Sequence, residues 1–346
     1  MGLVRYVVRR LLLMILVLFG ISVIVFYLSR GYPSKFPPWG QYVTLSMSPS
    51  EIAYIKQIHG FNLPLYDQYF FWLRDALSGN WGLSRWAGNQ QTYAVFAARF
   101  PLTAELAIAA IVITVAIGLP LGIVSAVKNN KAPDHVSRIV ALLGYSIPIF
   151  WLGFLFQLLF SYYFRLWGLP SLPSSGYVDR QFIGSVHMIT GIPLVDAVLQ
   201  LNYSYFASSL GHLILPALTL SFASLGYLTR IVRSSMLEVL RQDYIVMARS
   251  KGLSERVVIY RHALLNALIP TITVVGVLFA SLLGGVVIIE YVFTWPGVGS
   301  AALQATLQND TNFLMLYTLV SAAIIVIANL AVDVAYGLLD PRIRFK

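Results

Sequence analysis

The sequence predicts an all-α, polytopic membrane bundle of six spans. Three observations carry this. Of the 346 residues, 58% are hydrophobic and only 11% charged, whereas soluble domains carry about 25% charged residues. Six apolar runs approach or exceed the ~20 residues that a helix needs to cross a bilayer: Leu11–Leu28, Leu102–Val127, Ile139–Phe164, Leu213–Leu228, Ile269–Ile289 and Leu314–Leu338. The basic residues cluster at alternate ends of those runs, as the positive-inside rule requires.

The first run follows Arg5, Arg9 and Arg10 and ends in Tyr27, Leu28, Ser29 and Arg30, with no small-residue cleavage site. It reads as an uncleaved span rather than a signal peptide. With the N-terminus in the cytoplasm, the inner segments hold sixteen of the 24 Lys and Arg. Both termini are therefore expected inside a multi-pass cell-membrane protein. The net charge of +10 then reflects membrane borders, and no nucleic-acid partner is expected. There is no cysteine, which excludes disulfides and thiol chemistry.

The first outer loop is expected to be ordered. Ser48-Pro49-Ser50-Glu51 is a capping box with proline at the first helical position, and Gly60 can close that helix. A second amphipathic stretch, Leu65–Leu77, ends at Gly79 and carries Tyr66, Tyr69, Phe70, Phe71 and Trp72, a belt expected at headgroup level. The loop Arg165–Gly211 turns apolar around Ile192–Leu201 and reads as an ordered outer cap. Gly118 and Gly122, and Gly276, Ala280 and Gly284, recur four apart, a spacing that lets helices approach closely. Pro120, Pro148 and Pro216 interrupt three spans.

Between the fourth and fifth runs lies DYIVMARSKGLSERVVIYRHALLNALIP, Asp243 to Pro270, too polar for a bilayer. Arg230–Leu240 extends the fourth span as a basic helix. Asp243 is expected to cap a short helix that Gly252 ends, and Ser254 to cap the next. This presents a short helix, Asp243, Tyr244, Val246, Met247, Ala248, Arg249 and Lys251 among its residues, sideways to the cytoplasm, with Leu253 and Glu255 beyond the turn.

That loop resembles the EAA loop of ABC importer membrane subunits. The family's Glu-Ala-Ala, three residues, Gly falls on Val246, Met247, Ala248 and Gly252, so only Ala248 and Gly252 match, and Leu265 stands at the later proline. The agreement is far closer to the dipeptide/oligopeptide-type permeases. Three more stretches resemble that branch: GGVVIIEYVFTWPGVG from Gly284 to Gly299, Asn329–Asp333 with Asp340–Arg344, and Leu63–Tyr69 with Gly79–Gly82. The resemblance covers essentially the whole chain and implies an ABC type I importer transmembrane-domain fold. It divides the chain into an N-terminal span (1–30), an outer loop with amphipathic helices (31–100) and a permease core (101–346), the coupling loop lying at 229–268. It also implies partners: a second homologous permease subunit, two ATPase subunits that bind ATP and Mg2+, and an extracytoplasmic substrate-binding protein. The imported class would be short peptides, with oligosaccharides as the alternative.

The chain has no Gly-x-x-x-x-Gly-Lys-Ser/Thr, so energy must come from a partner. Its five histidines lack metal-ligand spacing and there is no Gly-x-Ser-x-Gly, so neither a metal nor a hydrolytic site is expected. A stand-alone secondary transporter would predict internal repeats with broken helices, and none is evident. Ionisable residues at membrane depth are functional candidates. Asp333 lies one turn beyond Asn329 on one helix face, a candidate site for a substrate ammonium or coupled cation; the alternative expectation is a structural ion pair of Asp333 with basic residues at the cytoplasmic border. Glu105 and Glu290 sit at outer edges, marking either an interface or the pathway.

Overall fold

A computed structural model describes residues 3–31, 38–43, 46–283 and 286–339. Gly284, Gly285 and the stretch from Asp340 onward, on which part of the resemblance rests, lie outside the described residues.

Hydrophobic runs without polar side chains satisfy their backbone internally, so they wind as helices. The first is α1, Leu3–Gly31. In the following loop α2 (Pro49–Ile58) has the expected capping box: the Glu51 N–H donates to Ser48 Oγ and the Ser48 N–H to Glu51 Oε2. Helix α3, Leu65–Leu77, keeps the expected bounds, and Gly79 follows at φ +88. Its aromatic belt is split, however. Tyr69 and Trp72 are buried against Phe26 of α1, and only Tyr66, Phe70 and Phe71 are exposed.

A two-residue ladder, Leu83–Ser84 with Gln90–Gln91, leads into α4, Thr92–Val127, which begins ten residues before the apolar run and carries Pro101 and Pro120 without breaking. The third span differs from expectation. Rather than one helix over Ile139–Phe164, α5 (Ala132–Ser146) stops, and α6 (Ile149–Phe156) begins after Pro148. Proline has no N–H and pushes its predecessor out of the helical region; Ile147 is accordingly extended, with ψ 125. Helix α6 continues as a π-wound stretch, Gln157–Tyr163, into α7, Phe164–Leu166.

The cap loop holds α8, Pro193–Leu199, and then α9 runs from Tyr203 to Leu240. Helix α9 therefore covers the fourth apolar run and its basic extension in one piece. The hairpin comprises α10 (Asp243–Ser250) and α11 (Glu255–Val257), which winds through a π segment, Val258–Ala263, into α12, Leu264–Leu283. The fifth span thus starts earlier than the apolar run and ends earlier too. Ile289 and Glu290 belong to a separate short helix, α13 (Val287–Val292), followed by α14, Val298–Leu307. Helix α15, Thr311–Leu339, closes the bundle. Six helical stretches among the described residues are long and apolar enough to cross a membrane.

Small residues set the helix approaches. A Cβ on Gly122 would lie 2.6 Å from Val232 and 2.9 Å from the Thr229 carbonyl of α9, and one on Gly276 would run into Val332 of α15. Two further close approaches had no spacing to announce them. A Cβ on Gly144 would meet the Phe222 carbonyl at 2.6 Å, and one on Gly226 would meet the Ala141 carbonyl at 2.5 Å. These two weld α5 to α9. All spans thus share two ends: a hairpin end, where α10 lies, and a cap end, where α8, α13 and α14 lie.

Candidate functional site

The hairpin is built from a change of helical phase. Ile245 and Ala248, one turn apart on α10, are buried in a cluster with Ile123, Val232, Met236, Val258 and Ala267. This pins the inner face of α10 to α4, α9 and α12. The opposite face is left apolar and open: Tyr244, Val246, Met247 and Leu253 are 42%, 54%, 58% and 40% exposed. Exposed apolar side chains on a short helix standing out of a bundle mark a contact surface. Gly252 makes the turn at φ +78, with its N–H on the Arg249 carbonyl and the Leu253 N–H reaching back to Ala248. This is the left-handed helix C-cap for which glycine is suited. Arg249 Nε donates to Glu255 Oε1 at 2.8 Å across that turn, and Asn266 Nδ2 donates to the Tyr244 hydroxyl at 2.9 Å.

The cap of α10 moves by one residue: Gln242, not Asp243, is its N-cap. Ser254 is the N-cap of α11 as expected, and neither residue makes a side-chain cap bond. Asp243 stands instead at the first helical position, where its charge meets the positive end of the helix dipole. Lys251 lies beyond the last turn, at the C-cap.

Directly behind the hairpin is a charged cluster that spacing did not reveal. Asp134, at the start of α5, is fully buried. Its Oδ1 accepts from Arg233 Nε at 2.7 Å and Ser125 Oγ at 2.6 Å; its Oδ2 accepts from Arg233 Nη2 and the Asn130 N–H, both at 2.9 Å. Arg233 Nη2 also donates to Asn129 Oδ1. The guanidinium of Arg233 holds the Asp134 carboxyl well below the usual carboxylate range, with Ser125 and Asn130 adding to it against the effect of burial. The signal available in the sequence was Lys131-Ala132-Pro133-Asp134, an acidic residue in a proline-started first turn. Its partner, 99 residues on, carried none.

The two glutamates expected at outer edges, Glu105 and Glu290, are also internal. Glu290 of α13 is fully buried; Thr103 Oγ1 donates to its Oε1 and the Ser300 N–H to its Oε2, both at 2.7 Å. Thr103 in turn accepts from the Val298 N–H, and Trp295, also fully buried, donates from Nε1 to the Leu102 carbonyl at 3.0 Å. The segment Glu290-Tyr-Val-Phe-Thr-Trp-Pro-Gly is therefore a strap fixed to α4. Glu105, two residues beyond Thr103 and nine-tenths buried, accepts from the Leu194 N–H at 2.9 Å through Oε1; its Oε2 has no partner among the described residues. Glu105 and Glu290 thus hold different pieces of the cap onto one helix. Asn329 is exposed on α15, and Asp333 lies one turn on in the same helix, its side chain outside the described residues.

Residues 118–345 match the family described as binding-protein-dependent transport system inner membrane component, and residues 3–107 match its N-terminal counterpart. The chain belongs to this family of transport-system membrane components. Similar proteins include the dipeptide transport system permease DppB of Escherichia coli K12, 35% identical over 99% of both chains. The di/tripeptide permease DppB of Pseudomonas aeruginosa UCBPP-PA14 is 36% identical over 99% of both. The oligopeptide permease AppB of Bacillus subtilis 168 is 32% identical over 98% of this chain and 99% of its own. The chain is a multi-pass membrane subunit with a role in transport.

Proposed function

We propose that this chain is one of two permease subunits of an ATP-driven importer of short peptides. Its partners are a second, homologous permease, two ATPase subunits that bind ATP and Mg2+, and an extracytoplasmic binding protein that delivers substrate. The hairpin end faces the cytoplasm with both termini, and the cap end faces out. The peptide relatives, each aligned over nearly its full length, favour peptides over oligosaccharides.

The observation that carries this reading is the asymmetry of α10. Its inner face is buried among three spans while its outer apolar face is open. A helix held this way moves its supports when it is gripped. Asp243, Tyr244, Val246, Met247, Ala248, Arg249, Lys251, Gly252, Leu253, Ser254 and Glu255 form the element seated on an ATPase subunit. Rigid-body motion then passes through α9 and, by the Asp134–Arg233 pair, to the α4–α5 turn. Glu105 and Glu290 shape the outer cap, and Asn329 with Asp333 remains the candidate for a charged contact near the inner end of α15.

Gly252→Val tests the reading. A Cβ at this position would meet nothing within 4 Å, so the substitution acts through its left-handed backbone alone, at about 1–3 kcal/mol. In proteoliposomes holding the assembled transporter, peptide uptake is expected to fall while ATP hydrolysis continues; Gly252→Asn, which tolerates this backbone, is expected to keep uptake. Normal uptake by the valine variant, or uptake by this chain with no ATPase bound, overturns the proposal.

A further inference from the structure

A groove of about 590 Å³ runs between α1, α3 and α15. Phe19, Leu73, Leu77, Leu319, Ala323 and Ile327 are among the residues lining it. The one hydroxyl on its wall, Ser22, is already bonded to the Phe19 carbonyl at 2.7 Å and the Tyr69 hydroxyl at 2.8 Å. From Ser22 to Ile15 on α1 the wall extends about 10 Å, and from Leu319 to Ile327 on α15 about 12 Å, at the rise of an α-helix. The rim residues Ile15, Leu77 and Ile327 are exposed.

Trp72 and Trp81 line this groove and also a second, polar cavity of about 190 Å³ on the cap side. Arg30, Gln68, Asp75 and Asn80 line that cavity. Arg30 has no carboxylate within ion-pair distance among the described residues. Its guanidinium donates to Gln68 Oε1 at 3.4 Å and lies over the rings of Phe26 and Phe61. Among the described residues, Arg30 thus stands at the end of a span with its face on aromatic rings and no anion paired to it, and the carboxylate on the same cavity, Asp75, is held by Arg74. An apolar groove lies one tryptophan away.

We propose that one glycerophospholipid of the cap-side leaflet occupies both cavities, an acyl chain in the groove and its phosphate on Arg30. The phosphate supplies the bidentate acceptor that the guanidinium fits. The acyl chain fills a slot that water cannot wet and whose walls cover about three-quarters of one leaflet's ~15 Å of hydrocarbon. A helix of the second permease could cover the apolar groove but would leave Arg30 without its anion. The proposal requires that the chain span a bilayer and is independent of the hairpin's role in coupling.

The assembled transporter, delipidated in detergent, is incubated with dioleoylphosphatidylethanolamine or with dioleoylglycerol, and bound lipid is counted by native mass spectrometry. Ala323→Trp, which fills the groove, is expected to retain one phospholipid fewer per complex. Arg30→Gln is expected to weaken phospholipid retention about tenfold and to leave dioleoylglycerol retention unchanged. If Ala323→Trp fails to assemble, Ile327→Trp at the rim serves in its place. Unchanged phospholipid counts in the groove variant, or a cross-link from Ala323→Cys to the second permease in the lipid-loaded complex, overturns the proposal.

Discussion

The two ends of the bundle hold their buried carboxylates in opposite ways. At the hairpin end Asp134 meets a guanidinium through two bonds of 2.7 and 2.9 Å, and a hydroxyl and an amide fill its remaining positions. At the cap end Glu290 and Glu105 receive only neutral donors: a hydroxyl and an amide for one, a single amide for the other. The nearby Arg99 donates to the Pro296 carbonyl rather than to Glu290. A bidentate pair away from water is stiff, because neither charge can be left behind alone. Carboxylates held by neutral donors exchange partners at a modest net cost. The hairpin end is thus the stiffer of the two and the cap end the more adjustable, which is the division that the proposed coupling role of the hairpin needs.

The largest test of that contrast is Asp134→Ala. It strands the Arg233 guanidinium among buried neighbours and is expected to destabilise the chain by about 3–5 kcal/mol, read as a fall in the unfolding temperature of the detergent-solubilised transporter. Replacing both partners, Asp134→Leu with Arg233→Met, should restore most of that stability, because the one cation that then loses its carboxylate, Arg138 at 3.4 Å, is exposed to solvent. Glu290→Gln is the matching test at the cap. One amide of the strap then faces an N–H instead of an oxygen, at about 1–3 kcal/mol. The loss should appear as faster proteolysis of the Glu290–Ser300 segment with the hairpin still protected. Equal losses for Asp134→Ala and Glu290→Gln would erase the distinction between the ends.

Much of this was legible in the chain and some was not, for physical reasons. Span existence follows from apolar run length, and α3 could be bounded at both ends because proline and glycine flank it. Span ends were harder. Helix α4 begins ten residues before its apolar run because Thr92–Pro101 packs on α14 and α15 rather than meeting lipid. The third span breaks at Pro148 while Pro101, Pro120, Pro216 and Pro270 stay inside helices. Nothing local to those prolines distinguishes them. The turn at Gly252 was readable because glycine is the residue most at ease there, with asparagine a distant second. The Asp134–Arg233 pair was not, since its partners are far apart in the chain and each alone looks like a border charge. The cap expected of Asp243 fell one residue earlier, on Gln242, for a subtler reason: α10 is held by the burial of Ile245 and Ala248, so its start needs no side-chain bond.

The smallest expected effect sharpens the comparison most. Asp134 has its folded pKa depressed by Arg233, so its stabilising contribution is complete above the ordinary carboxylate value of about 3.9. It is lost only as pH falls through the lower, folded value. From pH 8 to pH 5 the difference in unfolding temperature between the native chain and Asp134→Asn should therefore stay flat, and it should shrink below about pH 4. A difference that already declined near pH 6 would mean that Asp134 lacks the full hold of Arg233. The hairpin end would then be as adjustable as the cap.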